Sequence, residues 1–304
     1  MFYKLKYTNE NGEVLDFKPS VNKFTDLSEI NTDVKYPYRL QKFEGFGELK
    51  SNIDTVKAPY QDGSTIVGMT FAERYPYLQF IIDAKDYDAL SDYRRKAIRI
   101  LNPKLDGKFE LNYGEHTFVL DVKPESVPVF GDEDVAGRTQ AVSINFIAAN
   151  PYWKSPIIQE EPMAAFVELF EFPSDYWELG EDGDIYFEMG TEGHTRTFVN
   201  NGDGAVPIKI RIKGPTLNPT LTNLTTGELI KINRELSADD VLEISTEDAD
   251  KYILLNGENV FNWIDLSSTF WKLEVGENEI QYTADAGLES ATLEITWQEQ
   301  FVGV

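Results

Sequence analysis

The chain has 304 residues, 41% apolar and 13% aromatic, with 28 Lys and Arg against 52 Asp and Glu. That length is generous for one core and the composition suffices for packed ones, so two domains are expected and a disordered chain is excluded. The absence of cysteine removes disulfide frameworks and thiolate chemistry, which fits synthesis in the cytoplasm and equally suits a protein that later leaves the cell, while no run reaches the ~20 apolar residues of a membrane span and MFYKLKYTNE has no signal-peptide core.

The opening run alternates, with Tyr3, Leu5 and Tyr7 against Phe2, Lys4 and Lys6, and ends at Asn11-Gly12 before Val14, Leu15 and Phe17 resume. This predicts a first hairpin. Gly45-Phe46-Gly47 reads as a bend, since a lone glycine pair is a poor phosphate cradle. Strands are predicted at Leu78–Ile82, Phe109–Leu111, Thr117–Val122 and Ala141–Ile147. The one helix is expected at about Tyr87–Leu101, where Leu90, Tyr93, Ala97 and Ile100 or Leu101 share a face. Asp83 or Asp86 supplies its cap, and Asn102-Pro103 stops it. Arg94, Arg95, Lys96 and Arg99 lie largely off the apolar face, as a solvated side, a subunit contact or a nucleic-acid patch.

Pro151, Pro156 and Pro162 mark a linker at about 150–162, where regular pairing is not expected. It separates residues 1–150 from residues 151–304. Beyond it the predicted strands are Ala164–Phe170, Ile185–Met189, Thr195–Val199, Ile208–Ile212, Glu228–Ile232, Val241–Ser245, Tyr252–Leu255, Trp271–Val275, Glu279–Thr283 and Ala291–Gln298. Turns are read at Gly202, Gly204, Gly214-Pro215, Thr226-Gly227, Asn256-Gly257 and Gly276-Glu277-Asn278. Short strands with no helix between them argue for a β-sandwich. Whether the last strand returns to pair with the first domain is not legible.

Charge divides along the same line. Residues 1–150 hold 19 basic and 23 acidic side chains, whereas residues 151–304 hold 9 and 29. The second half is therefore a poor binder of phosphate backbones.

No reactive motif emerges. There is no G-x-S-x-G elbow, Walker loop or dinucleotide fingerprint. His116 and His194 are the only histidines, so zinc sites of ordinary composition are not expected. Glu181-Asp182-Gly183-Asp184 is an acidic turn without the spacing of a calcium loop. Carboxylate pairs suited to glycoside hydrolysis are inevitable among so many acids and carry no information. Trp153, Trp177, Trp263, Trp271 and Trp297 offer faces for sugar stacking, although core placement is the ordinary outcome in alternating strands.

Taken together, the turn and strand motifs resemble the siphophage-type distal tail proteins nearly end to end. The resemblance runs through LKYTNENGE, then KAPYQDGSTIVGMTFAERYPYLQFII with Gln61, Asp62, Gly63 and Arg74, RRKAIRILNPK (Arg94–Lys104) and PESVPVF (Pro124–Phe130). It continues through ANPYW (Ala149–Trp153), VNNGDGAVPIKIRIKGPTLNPTLTNLTTGE (Val199–Glu228), Ser267–Trp271, Gly276–Asn278 and the terminal FVGV. No large insertion of the kind that adds sugar-binding modules is present.

The resemblance implies a mainly β chain. Its N-terminal ring-forming domain is a β-sandwich or split barrel with one helix and a hairpin arm, and its C-terminal domain is a galectin-like β-sandwich. It implies a non-enzymatic, homohexameric hub at the virion tail tip, without cofactor or metal. The ring joins the tail tube protein to the tail-associated tip protein and its receptor-binding parts. DNA passes through a central channel without specific binding, and no membrane is involved. The arm is expected within Lys57–Tyr77, with Pro59, Tyr60, Gln61, Asp62, Gly63 and Ser64 at its turn. A carbohydrate-binding attachment module is the alternative, and a wall-degrading enzyme is the third reading.

Overall fold

The computed structural model describes residues 3–18, 37–133, 138–164, 194–288 and 290–304. These form two compact units, Met1–Pro156 with Gln300–Val304, and Ile157–Glu299.

The first unit is a barrel built from period-2 strands. β1 (Tyr3–Asn9) and β2 (Val14–Lys18) form the expected hairpin at Asn11-Gly12. β3 (Tyr38–Glu44) runs parallel to β2, pairing Phe17 with Tyr38. β4 (Ser51–Val56) and β5 (Thr65–Phe71) pair only with each other among the described residues. β6 (Tyr77–Asp83), β7 (Gly107–Tyr113), β8 (His116–Pro124), β9 (Val129–Glu133) and β10 (Thr139–Ile147) complete the wall. The order β8-β7-β1-β2-β3-β6-β10 closes on itself where Phe146 and Ile147 meet Pro124 and Lys123. Closure abolishes the edges that an open sheet of this size would carry.

Alternate residues fill the interior. Leu78, Phe80 and Ile82 of β6 are buried, as are Val142, Ile144 and Phe146 of β10. Tyr7, Phe109 and Phe146 meet at ring distances of 4.8–5.6 Å, and Phe109 reaches Phe46, which in turn lies 6.0 Å from Trp153. Each such ring removed from water contributes roughly 2–3 kcal/mol. The helix α1 (Tyr87–Ile100) packs Leu90, Ala97 and Ile100 into this core. Its cap is Asp86, whose Oδ1 accepts from the Ala89 N–H at 2.8 Å. Gly45 bends the chain after β3 with a positive φ, and a Cβ there would lie 2.4 Å from the Tyr75 carbonyl oxygen.

Pairing continues through the proline-rich stretch, contrary to expectation. β11 (Trp153–Lys154) joins β8 and also β24 (Gln300–Phe301), so the chain's end does return to the first unit. β12 (Gln159–Ala164) accommodates Pro162 because it is a sheet-edge strand whose register shifts between Pro162 and Ala164.

The second unit is a sandwich. One sheet orders β12-β23-β14-β19-β20-β21, with β14 (Ile208–Lys213), β19 (Val241–Glu247), β20 (Asp250–Leu255), β21 (Glu258–Asn259) and β23 (Thr292–Trp297). The other orders β13-β22-β16-β17, with β13 (His194–Asn200), β16 (Thr220–Asn223), β17 (Glu228–Lys231) and β22 (Gly276–Thr283). A short ribbon pairs β15 (Thr216–Leu217) with β18 (Glu235–Leu236). Ile208, Ile210, Ile212, Ile244 and Ile295 share one core with Phe198, Leu221, Ile280 and Tyr282.

Two local readings are corrected. Trp271–Val275 is not a strand, and only Leu273 bridges, to Val206. Gly276–Asn278 already pairs with β13 as the start of β22, and the Asn278 side chain closes the bend just before it: its Oδ1 accepts from the Glu274 N–H and its Nδ2 donates to the Glu274 carbonyl, both at 2.8 Å. The strands expected at 165–170 and Ile185–Met189, with Trp177 and Glu181–Asp184, lie outside the described residues.

Candidate assembly surface

Among the described residues the ribbon β4–β5 holds several exposed apolar side chains close together. Ile53 sits opposite Met69, and Ser51 opposite Phe71, on one face; Asn52, Asp54, Gly68 and Thr70 fall on the other. Ile53, Val67 and Met69 are each more than half exposed, at 52%, 62% and 57%. An amphipathic ribbon with its apolar face in water marks an interaction surface. Beyond the register shift between Asp54 and Thr55, Val56 and Ile66 are also exposed.

The six residues expected at the arm's turn, Pro59, Tyr60, Gln61, Asp62, Gly63 and Ser64, lie together at the tip of this ribbon. Gln61 organises the turn from within. Its Oε1 accepts from the Ala58 N–H at 3.0 Å, and its Nε2 donates to Thr65 Oγ1 at 3.1 Å. Tyr60 adopts φ 64° and its side chain is fully exposed. β4 escaped the sequence reading because Ser51–Val56 carries only two apolar residues, Ile53 and Val56.

The ribbon's root is held by Arg74, one of the largest fully buried side chains among the described residues. Its guanidinium donates to the carbonyls of Phe46 and Glu48, both at 3.0 Å, and to those of Pro151 and Val302. Burial holds its pKa below the usual arginine value. Phe71 packs edge-on against Tyr152 at 5.8 Å.

The residues considered for chemistry are dispersed. His116 is exposed in the first unit, and His194 begins β13 in the second. Among the described residues no three His, Asp or Glu side chains gather to hold a metal ion. Glu160 and Glu294 share a hydrogen bond on neighbouring strands, which raises the Glu294 pKa, but both side chains face outward on the sheet. Trp153, Trp271 and Trp297 are buried, while the half-buried Trp263 ring is covered by the Arg234 guanidinium at 4.9 Å. A recess lined by Leu217, Asn218, Asn233, Arg234, Glu235 and Ser237 has its amides already engaged. Asn218 donates to Asp285 at 2.7 Å and Asn233 to Asp265 at 2.8 Å.

Two family models match the chain. Residues 25–148 match the phage tail protein RIFT-related domain, and residues 201–301 match the C-terminal domain of the siphovirus-type tail component. No curated protein matches the chain in sequence. In structure it is similar to the SPP1 Dit (gp 19.1) protein, described as a paradigm of hub adsorption apparatus in Gram-positive infecting phages. That likeness has a TM-score of 0.65 and 14% identity, over 98% of this chain and 99% of the other. It is also similar to a chain of the phage P2 baseplate in its activated conformation with Ca, at a TM-score of 0.54 and 12% identity over 100% of both chains. The baseplate with Sr gives 0.53 and 13%, over 100% of this chain and 99% of the other.

Proposed function

The chain belongs to the siphovirus-type tail component family, and on that premise we propose that it is a non-enzymatic, homohexameric hub of the tail tip in the virion. One side of the ring meets the tail tube protein. The other carries the tail-associated protein with its receptor-binding parts, and DNA passes through the centre.

The observation that carries this reading is the β4–β5 ribbon. A soluble monomer gains nothing from holding Ile53, Val67 and Met69 in water, whereas an arm that docks on the next copy buries them. An arm contacting a different surface of its neighbour is a heterologous contact, which generates a ring when the rotation closes. The charge distribution supports it: the second half, with 9 basic and 29 acidic side chains, repels a passing polyanion. The buried tryptophans favour packing over sugar recognition.

Light scattering on concentrated protein tests the reading. The expected mass is near six times 34.6 kDa, and deleting Pro59–Gly68 is expected to leave smaller species. A chain that stays monomeric at high concentration sinks the hub, and a hexamer that survives the deletion sinks the arm.

A further inference from the structure

Arg74 stands where four stretches of chain meet. Phe46 and Glu48 precede the arm strand β4, and Arg74 itself follows β5, where the Ala72 N–H donates to the Lys50 carbonyl at 2.9 Å. Pro151 leads into β11, and Val302 follows β24. These are the two strands through which the chain leaves for the second unit and returns from it.

Among the described residues no carboxylate pairs with the guanidinium. Four of its five N–H donors are spent on backbone carbonyls, and the side chain is 2% exposed. A buried cation without a counter-ion persists only when its donors are satisfied. Its position is therefore over-determined by the three other stretches, and each of them depends on it. The Trp153 indole adds a second tie, since its Nε1 donates to the same Phe46 carbonyl at 3.0 Å.

We propose that Arg74 is a positioning residue that couples the root of the arm to both strands flanking the second unit, so that loosening either one loosens the other. The coupling is reciprocal because the same hydrogen bonds hold both sides. It is a property of the single chain and does not depend on the arm docking to a second copy. Lysine cannot replace it, because one ammonium lacks the planar fork that reaches four carbonyls on three other stretches.

Hydrogen exchange on the full chain at low concentration tests this. In Arg74→Met, amide exchange at Gln300–Val302 and at Ala72 is expected to accelerate by about tenfold or more, while β1 and β7 keep wild-type rates. Removing Val302–Val304 withdraws one acceptor without touching the arm, and is expected to accelerate exchange at Ala72. Should Arg74→Met fail to fold, the truncated chain decides alone. Acceleration of only one region, uniform acceleration of the whole barrel, or an unchanged Ala72 in the truncated chain each overturns the coupling. None of these outcomes bears on whether the arm makes a hexamer, so the two ideas fail separately.

Discussion

β5 and β6 are neighbours in sequence, equal in length and alike in composition, yet they have opposite fates. Thr65–Phe71 presents Ile66, Val67 and Met69 to solvent, whereas Tyr77–Asp83 buries Leu78, Phe80 and Ile82 completely. The difference is what lies opposite. β6 is paired on both edges, by β3 and β10, and its inner face meets Phe17 and Tyr38. β5 has only β4. Alternating apolar residues therefore specify a strand with one dry face, without specifying whose atoms dry it.

The sharpest way to break this comparison is to remove an anchor of the barrel. Trp153→Ala deletes a buried ring and the hydrogen bond to Phe46, and is expected to cost about 3–5 kcal/mol in denaturant unfolding. A loss under about 1 kcal/mol would mean that the β11 anchor contributes little to the barrel. Gly107→Ala comes next. A Cβ at Gly107 would sit 2.3–2.7 Å from the Tyr7 ring and hydroxyl, and the closed wall gives that ring little freedom to move. An expected loss of about 1–3 kcal/mol is readable in the same melts. Adding a methyl at the ribbon's Gly68 meets Asp54 only at 3.5 Å and should be far milder.

Most of the barrel wall was legible because its strands alternate and its hairpin and helix carry their own punctuation, but Tyr38–Glu44 (β3) and Val129–Glu133 (β9) were not read. Asn11-Gly12 turns the first hairpin, and Asp86 and Asn102 bracket α1. The turn of the β4–β5 ribbon was legible through Gln61–Ser64, but β4 was not, since polar Asn52 and Thr55 leave no period to read. The return of Gln300–Phe301 was invisible for a different reason. A two-residue strand has no periodicity, and what fixes it is remote: Phe118 lies 5.3 Å from Phe301, and Arg74 holds the Val302 carbonyl. Non-local contacts of this kind leave no mark in either segment alone.

Alkaline titration separates dry from wet at smaller cost. Burial raises the pKa of Tyr7 and Tyr38 above the ordinary tyrosine value. A raised acid is held neutral in the folded state, so its stabilising share is complete below about pH 10 and falls as pH climbs beyond the unfolded pKa. The barrel is expected to lose stability there. Among the described residues the Tyr7 hydroxyl has no hydrogen-bond partner, whereas the Tyr38 hydroxyl donates to the Tyr93 carbonyl at 3.1 Å. Tyr7→Phe should thus change stability by no more than about 1 kcal/mol at neutral pH and weaken the alkaline loss. An unchanged alkaline limb in circular dichroism would show that Tyr7 does not drive it.

The smallest expected effect on the isolated chain is the most informative about the arm. Ile53→Thr, Val67→Thr and Met69→Thr together keep β propensity while replacing the apolar face. Because all three side chains are more than half exposed, the single chain should lose no more than about 0.5 kcal/mol per site. The hexamer, in contrast, should fail to form, since each copy would bring a polar face to a contact that needs a dry one. Light scattering and denaturant unfolding on the same triple variant separate the possibilities. Several kcal/mol of lost single-chain stability would mean that the ribbon is packed by its own chain, like β6. A persistent hexamer of normal stability would mean that its exposed face serves no ring contact. Only loss of assembly with the fold retained makes β5 what its pattern implies, a strand whose second face is completed by another copy.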